Sequence, residues 1–251
     1  MRYLKHLFAV VAVLGIAMAT TVDGRADSST AKAPDKSAIE RIVRDYLIAN
    51  PEVIEEAIQA LQAKREAAEK NRAQAALSEH GDALRGHPMT PVSGNATGDV
   101  TVVEFFDYQC GYCKRSLASL VDLLSSDKNV RVVWKELPIL GPVSRFAARA
   151  AMAAKKQDKY FDFHVGVMAA RGRLSESKVM SIAADVGLNI DRLREDMKDP
   201  MIEAYLDETL QLANSLGIRG TPAFVIGDTL VPGAIDEAGM KRIIAETRAG
   251  G

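Results

Sequence analysis

Val100-Thr101-Val102-Val103-Glu104-Phe105-Phe106-Asp107-Tyr108-Gln109-Cys110-Gly111-Tyr112-Cys113 is the stretch on which the fold turns. From Val100 to Phe106 every residue but Glu104 is β-branched or aromatic, the composition of a buried strand. Beyond the cysteines, Leu117, Leu120, Val121 and Leu124 recur at three- and four-residue intervals, one face of a helix. Val130 to Leu137 reads as a second strand. Strand, helix and strand joined by short links form a βαβ unit, and hence a parallel pair with a right-handed crossover.

Working outward, 144–216 is helical in pattern almost throughout. Gly187 and Gly217 stand where helices end, and Ser175 where one begins. Ala223–Ile226, the Gly227-Asp228 turn and Thr229–Val231 form a hairpin signal, and a closing helix follows from Asp236 to about Arg248. With 144–216 set aside, the order is β-α-β followed by β-β-α. That is an α/β architecture, the thioredoxin fold with an inserted helical subdomain, assigned to 88–249. Upstream, 80–98 is a loop-rich passage with room for a short edge strand near Met89–Val92.

Before that passage the pattern is helical again. Ile39, Ile42, Val43, Tyr46 and Leu47 line one face of a short helix. Asn50 is placed to cap a second helix and Pro51 suits its first position, with Glu52, Glu55 and Glu56 favouring the positive end of its dipole. Pro51 to Glu79 would extend roughly 44 Å at helical rise. Residues 37–80 are therefore expected to form an N-terminal helical stalk, and an oligomerisation segment, because the helix is longer than one small domain would cover.

The chain opens with Arg2 and Lys5, the apolar run Leu7–Ala19 and small residues at Ala17-Met18-Ala19, a leader cleaved after Ala19 or after Ala26. The run is too short for a membrane-spanning helix, which needs about 20 residues. Residues 1–26 are thus expected to be a signal peptide and 27–36 a linker, with export to the periplasm or beyond. Removing the leader takes the formal charge from −1 to −3 at either cleavage point, which argues against a nucleic-acid partner.

The chain has only two cysteines. Both fall within one helical turn, so a bond between them closes a small loop. It constrains the unfolded chain less than the ~3 kcal/mol expected of a fifteen-residue loop. As a staple the pair is poor, so reactivity or metal must account for it. Structural zinc requires four ligands, and no second cysteine pair exists; no metal site or other cofactor is expected. Cu(I), which soft thiolates select, stays open as an alternative, in a binding or chaperone module without turnover.

Cys110 begins a helix directly after a strand, where unpaired N–H groups stabilise an anion. Such settings lower a thiol from about 8.5 into the range of about 3.5–7.5. Cys110 is therefore the expected nucleophile and Cys113 the residue that resolves the mixed disulfide, the two forming a redox-active disulfide. Glu104 reads either as a water-facing edge carboxylate or, from its apolar flanks, as a buried acid suited to proton transfer. Lys135 is its partner or a surface lysine. His164 reads as a helix residue near the domain interface, and Trp134 as core.

Glu104-Phe105-Phe106-Asp107-Tyr108-Gln109-Cys110-Gly111-Tyr112-Cys113-Lys114, with Gly220-Thr221-Pro222-Ala223-Phe224, closely resembles the DsbA-like family of exported thioredoxin-fold proteins over about 98–247. The resemblance implies that Pro222 is a cis-proline beside the reactive sulfur. It implies that Thr221 pairs its backbone with an extended substrate and tunes the thiolate, and that Glu104 relays the proton of Cys113. Gly111 and Tyr112 join Thr221 and Pro222 as substrate-binding residues. Where strongly oxidising members carry Pro-His and Val, this chain has Gly111-Tyr112 and Thr221, as in dimeric disulfide isomerases and copper-tolerance-associated ScsC-type proteins. The long N-terminal helices resemble the stalks of the latter. The implied function is an exported disulfide isomerase or reductase acting on unfolded or misoxidised proteins. It would be a trimer or dimer reset by a membrane redox partner, with a dithiol oxidase as the alternative.

Overall fold

The computed structural model describes residues 35–250, so the expected leader and nearly all of the expected linker lie outside the described residues. Two units divide the chain, one ending at Ile58 and the other starting at Gln59. The first holds α1 (Lys36–Ala49) and the opening turns of α2 (Glu52–Glu79). No residue of α1 is buried. Ile39, Val43, Leu47, Ile48 and Ile54 line an open apolar cleft between the two helices. Asn50 does not cap α2 as expected; its Nδ2 donates to Tyr46 O at 2.9 Å and closes the C-terminal end of α1 instead. The same carbonyl accepts from Asn50 N at 2.8 Å, so backbone and side chain of Asn50 together end α1.

In the second unit, α2 runs on to Glu79, followed by α3 (Gly81–Arg85) and the short strand β1 (Val92–Gly94). The βαβ unit is β2 (Val100–Phe106), α4 (Gly111–Ser126) and β3 (Val130–Glu136). Five helices follow: α5 (Pro142–Lys155), α6 (Tyr160–Ala169), α7 (Glu176–Asp185), α8 (Ile190–Asp196) and α9 (Pro200–Ser215). The hairpin β4 (Ala223–Ile226) and β5 (Thr229–Pro232) and the helix α10 (Glu237–Gly250) complete the chain. The sheet order is β1-β3-β2-β4-β5, with β2 and β3 parallel and every other pair antiparallel. This is the thioredoxin-like plan, interrupted by helices between β3 and β4. The edge strand lies a little later than the sequence suggests, at Val92–Gly94 rather than Met89–Val92.

Side chains alternate across β2 and β3, and this alternation separates two buried layers. Val102, Phe106, Val132 and Trp134 pack with Leu117 and Leu120 of α4 and with the inserted helices. Val103, Phe105 and Val133 pack on the other face with Leu77, Leu84, Leu212 and Leu216. The register pairs Glu104 with Trp134 and Phe105 with Lys135, which places Lys135 on the face opposite Glu104. The expected alternatives for Lys135 therefore both fail. It is neither the partner of Glu104 nor a surface residue but is buried, donating to Ala83 O and to Thr90 Oγ1 at 2.8 Å each.

Helix ends follow their sequence signals. Ser175, Asn189 and Asp199 each accept a backbone N–H at the start of α7, α8 and α9. Gly187 and Gly217 end helices at φ +75° and +73°, a backbone region that costs a residue with a Cβ.

Candidate functional site

The site is built where β2 stops. Cys110 is the N-cap of α4, in an extended conformation, and its Sγ accepts from Cys113 N at 3.3 Å. Cys113, one turn inward, is fully buried, and both sulfurs are free thiols here. Across from them the Thr221–Pro222 peptide is cis. Its position brings Thr221 O within 3.2 Å of Cys110 Sγ, the thiol donating to the carbonyl. Pro222 is buried and Thr221 half-buried. Beside this loop lies a cavity of about 310 Å³ bordered by Ile218, Gly220, Thr221, Leu230 and Gly233.

Of the remaining expected site residues, Glu104 is buried, with its Oε1 left without a hydrogen-bond partner. Burial, and then the charge of Cys110 when ionised, holds its carboxyl well above the usual range. Burial likewise pushes the Cys113 thiol up, reinforced by its hydrogen bond with Cys110. Burial thus disfavours the charged form of both Glu104 and Cys113, while Cys110 sits at the positive end of a helix. Gly111 is exposed, and Tyr112 is 61% exposed with the Arg115 guanidinium 4.2 Å from its ring centroid.

Two polar clusters around the cysteines escaped the sequence reading. In the first, Asp107 accepts from Gln109 N at 2.7 Å and Ser144 Oγ at 2.7 Å, and through its other oxygen from Leu140 N at 2.9 Å. Gln109 Nε2 in turn donates to Ser144 Oγ at 2.9 Å. Cys110 N donates to Asp107 O at 3.0 Å, so the turn that presents Cys110 is tied to the start of α5. An Asp two residues before a backbone N–H is an Asx-turn signal, and Asp107 carries it. In the second cluster, Tyr108 and Tyr160 both donate to Glu136 Oε1, at 3.0 and 2.8 Å, and Tyr108 Oη lies 3.2 Å from His164 Nδ1. Burial drives the imidazole pKa of His164 down to about 3, so it packs here as a neutral ring. No single stretch of sequence signals this network, because its four members come from three separate segments.

Among the described residues, no group of three or more His, Cys, Asp or Glu side chains is placed to hold a metal ion. Among them, too, no helix is long and apolar enough to cross a membrane.

Residues 101–245 match the family described as DSBA-like thioredoxin domain, and residues 35–68 match the copper resistance protein ScsC N-terminal domain. A thioredoxin-like oxidoreductase from Silicibacter pomeroyi is similar in structure, at TM-score 0.66 and 46% identity, over 67% of this chain and 97% of that one. Proteus mirabilis ScsC, in a transitional conformation, matches at TM-score 0.66 and 32% identity over 86% of this chain and 97% of its own. Among curated relatives, a Na(+)/H(+) antiporter NhaA 1 from Salinispora arenicola is 29% identical over 161 residues, 63% of this chain. The chain spans only 25% of that protein's length.

Proposed function

The chain belongs to the family of DSBA-like thioredoxin domains, with a ScsC-type N-terminal segment, and from that premise we propose that it is a thiol–disulfide oxidoreductase that rearranges or reduces disulfides in other proteins. One observation carries the reading. Cys110 Sγ lies at the N-cap of α4, 3.3 Å from Cys113 N and 3.2 Å from the carbonyl of Thr221.

Once deprotonated, Cys110 attacks one sulfur of a substrate disulfide and expels the other as a thiolate, leaving a mixed disulfide. A second substrate thiolate can then attack the substrate sulfur of that bond. Cys110 is released and a different disulfide forms, with no net redox change. Alternatively Cys113 gives its proton to the Glu104 carboxylate and attacks Cys110 Sγ. That step closes Cys110–Cys113, and two electrons pass to the substrate, which leaves reduced. The elevated proton affinity of Glu104 suits it to accept that proton. Thr221, Pro222, Gly111 and Tyr112 flank the attacking sulfur and would bind the extended substrate.

Isomerisation is favoured over oxidation by Gly111-Tyr112 between the cysteines, by Thr221 before the proline and by the N-terminal helices, read as an oligomerisation stalk. The leader at 1–26 would send the protein to the periplasm or beyond. There its substrates would be unfolded or misoxidised exported proteins, and a membrane partner would keep Cys110 reduced.

Incubation with a scrambled-disulfide substrate in glutathione buffer tests the reading. The reduced protein should restore native pairing and Cys110→Ser should not, while a glutathione titration should give a potential well below the about −120 mV of a strong oxidant. A potential near that value without rearrangement would support the oxidase. Full function in Cys110→Ser would support a chaperone or Cu(I)-binding role.

A further inference from the structure

The surface next to Cys110 carries a charge that the chain as a whole does not. Lys114 and Arg115 lie near the start of α4 and carry two adjacent cations. The Arg115 guanidinium stands over the Tyr112 ring and 3.9 Å from where a Cβ on Gly111 would be. Lys114 Nζ donates to Ala170 O at 2.8 Å, which joins α4 to the loop between α6 and α7. That loop continues through Arg171 and Arg173, both exposed, and Lys178 Nζ folds back to donate to Arg171 O. Five cations therefore collect where α4 meets segment 170–178, which holds the single acid Glu176, in a chain whose formal charge is −1.

How these cations are held matters as much as their number. Among the described residues, none of the five lies within ion-pair distance of a carboxylate. Both lysines are satisfied by backbone carbonyls, which leave their charge uncompensated. Lys114 also sits close enough to Lys178 for the two to repel, and its pKa is lowered by burial first and by that neighbour second. Like charges gathered without counter-charges raise the local potential and attract anions.

We propose that this patch selects substrates whose reactive cysteine is flanked by Asp and Glu, docking the acidic segment across Arg115, Arg171 and Arg173 while the disulfide meets Cys110. The inference rests on the oxidoreductase reading and adds a substrate class to it. It carries a kinetic signature, because steering by exposed charge raises association rates by about 10- to 1,000-fold and fades with salt.

Three synthetic peptides with the same disulfide, flanked by Glu, by Ser or by Lys, provide the test. Each rate with the reduced full-length protein is divided by the rate of that peptide with dithiothreitol, which removes the effect of the flanks on the leaving sulfur. In low salt the acidic peptide should exceed the basic one by about tenfold or more. In 1 M salt, where the Debye length is about 3 Å, the ratio should fall to within about twofold. In the Arg171→Glu, Arg173→Glu variant the acidic preference should be lost, with the Ser-flanked rate kept. Equal normalised rates in low salt would overturn the proposal, as would a preference that survives in the variant. The same equality accompanied by Arg171- and Arg173-dependent binding to phosphatidylserine vesicles would assign the patch to an anionic bilayer instead. Failure of the wild-type protein to reduce even the Ser-flanked peptide would count against the oxidoreductase reading itself.

Discussion

Glu104 is a carboxyl group kept out of water with one oxygen unpartnered, an arrangement that costs stability and therefore invites a use. The unfolded chain ionises it near pH ~4.3, whereas burial keeps it protonated to higher pH in the folded chain. The folded state then holds the extra proton, so this residue's contribution is intact below that pH and is lost as pH rises through the folded value. Glu104→Gln removes the titration while keeping the shape. The variant should match the wild type near pH 4 and become progressively more stable than it toward pH 8, as read by thermal melts across that range. Its chemistry should move the other way. Attack by Cys110 should persist, while closure of Cys110–Cys113 should slow by about 100-fold, the low end of what a positioned proton acceptor contributes. Rapid-quench sampling should show the mixed disulfide accumulating. Melts that stay parallel across the pH range would mean that Glu104 ionises like a surface acid.

At the level of elements, the turn from β2 into α4 is held by its own backbone bond and by the Asp107 carboxylate, which ties it to α5 through Ser144 and to the loop before α5 through Leu140 N. Asp107→Ala leaves three donors without their acceptor. It should cost about 3 kcal/mol in urea unfolding, as expected for losing hydrogen bonds to a charged group. It should also slow exchange with a neutral peptide disulfide, because Cys110 is no longer fixed in register with Thr221. Asp107→Asn, which keeps one acceptor oxygen, should lose less of both, and a full-rate Asp107→Ala variant would show the clamp to be structural only. This element also marks where sequence reading ends. The apolar run of β2, the stripe on α4, the Gly227-Asp228 turn and the glycines at 187 and 217 are local signals, and each produced the element expected of it. Asp107, Ser144 and Leu140 come together only after α5 packs, so nothing local reports their bonds. Lys135 was misread for a related reason. Its face follows from the pairing of Phe105 with Lys135, since a one-residue slip reverses every side chain of a strand, and its burial from helices that cover both faces of the sheet. Asn50 was assigned to the wrong helix because its amide can serve either end of a tight junction.

For the molecule as a whole, a reactive sulfur beside a shallow site can reduce a small disulfide unaided. Correcting a misfolded chain requires that chain to stay nearby through several exchanges. On the proposed reading, the N-terminal unit would provide that retention by joining copies. Ile42 is 67% exposed, Tyr46 56% and Val43 50%, on a helix with no buried residue. Apolar side chains recurring at three- and four-residue spacing and left in water are a surface suited to a like helix from a second copy. Val43→Glu with Tyr46→Glu would set carboxylates into such a contact, where each would lose hydration without gaining a partner. Sedimentation should then give a dimer or trimer for the wild type and a single chain for the variant. The variant should reduce a short neutral peptide at the wild-type rate, since Cys110, Cys113 and Thr221 are untouched, yet fall to near background on a scrambled-disulfide protein. Loss of both activities would point to damage at the site. Retention of both by a single-chain variant would place rearrangement wholly within the catalytic unit. A wild-type protein that sediments as one chain would remove the stalk from the mechanism, leaving the Cys110 chemistry to be judged on its potential alone.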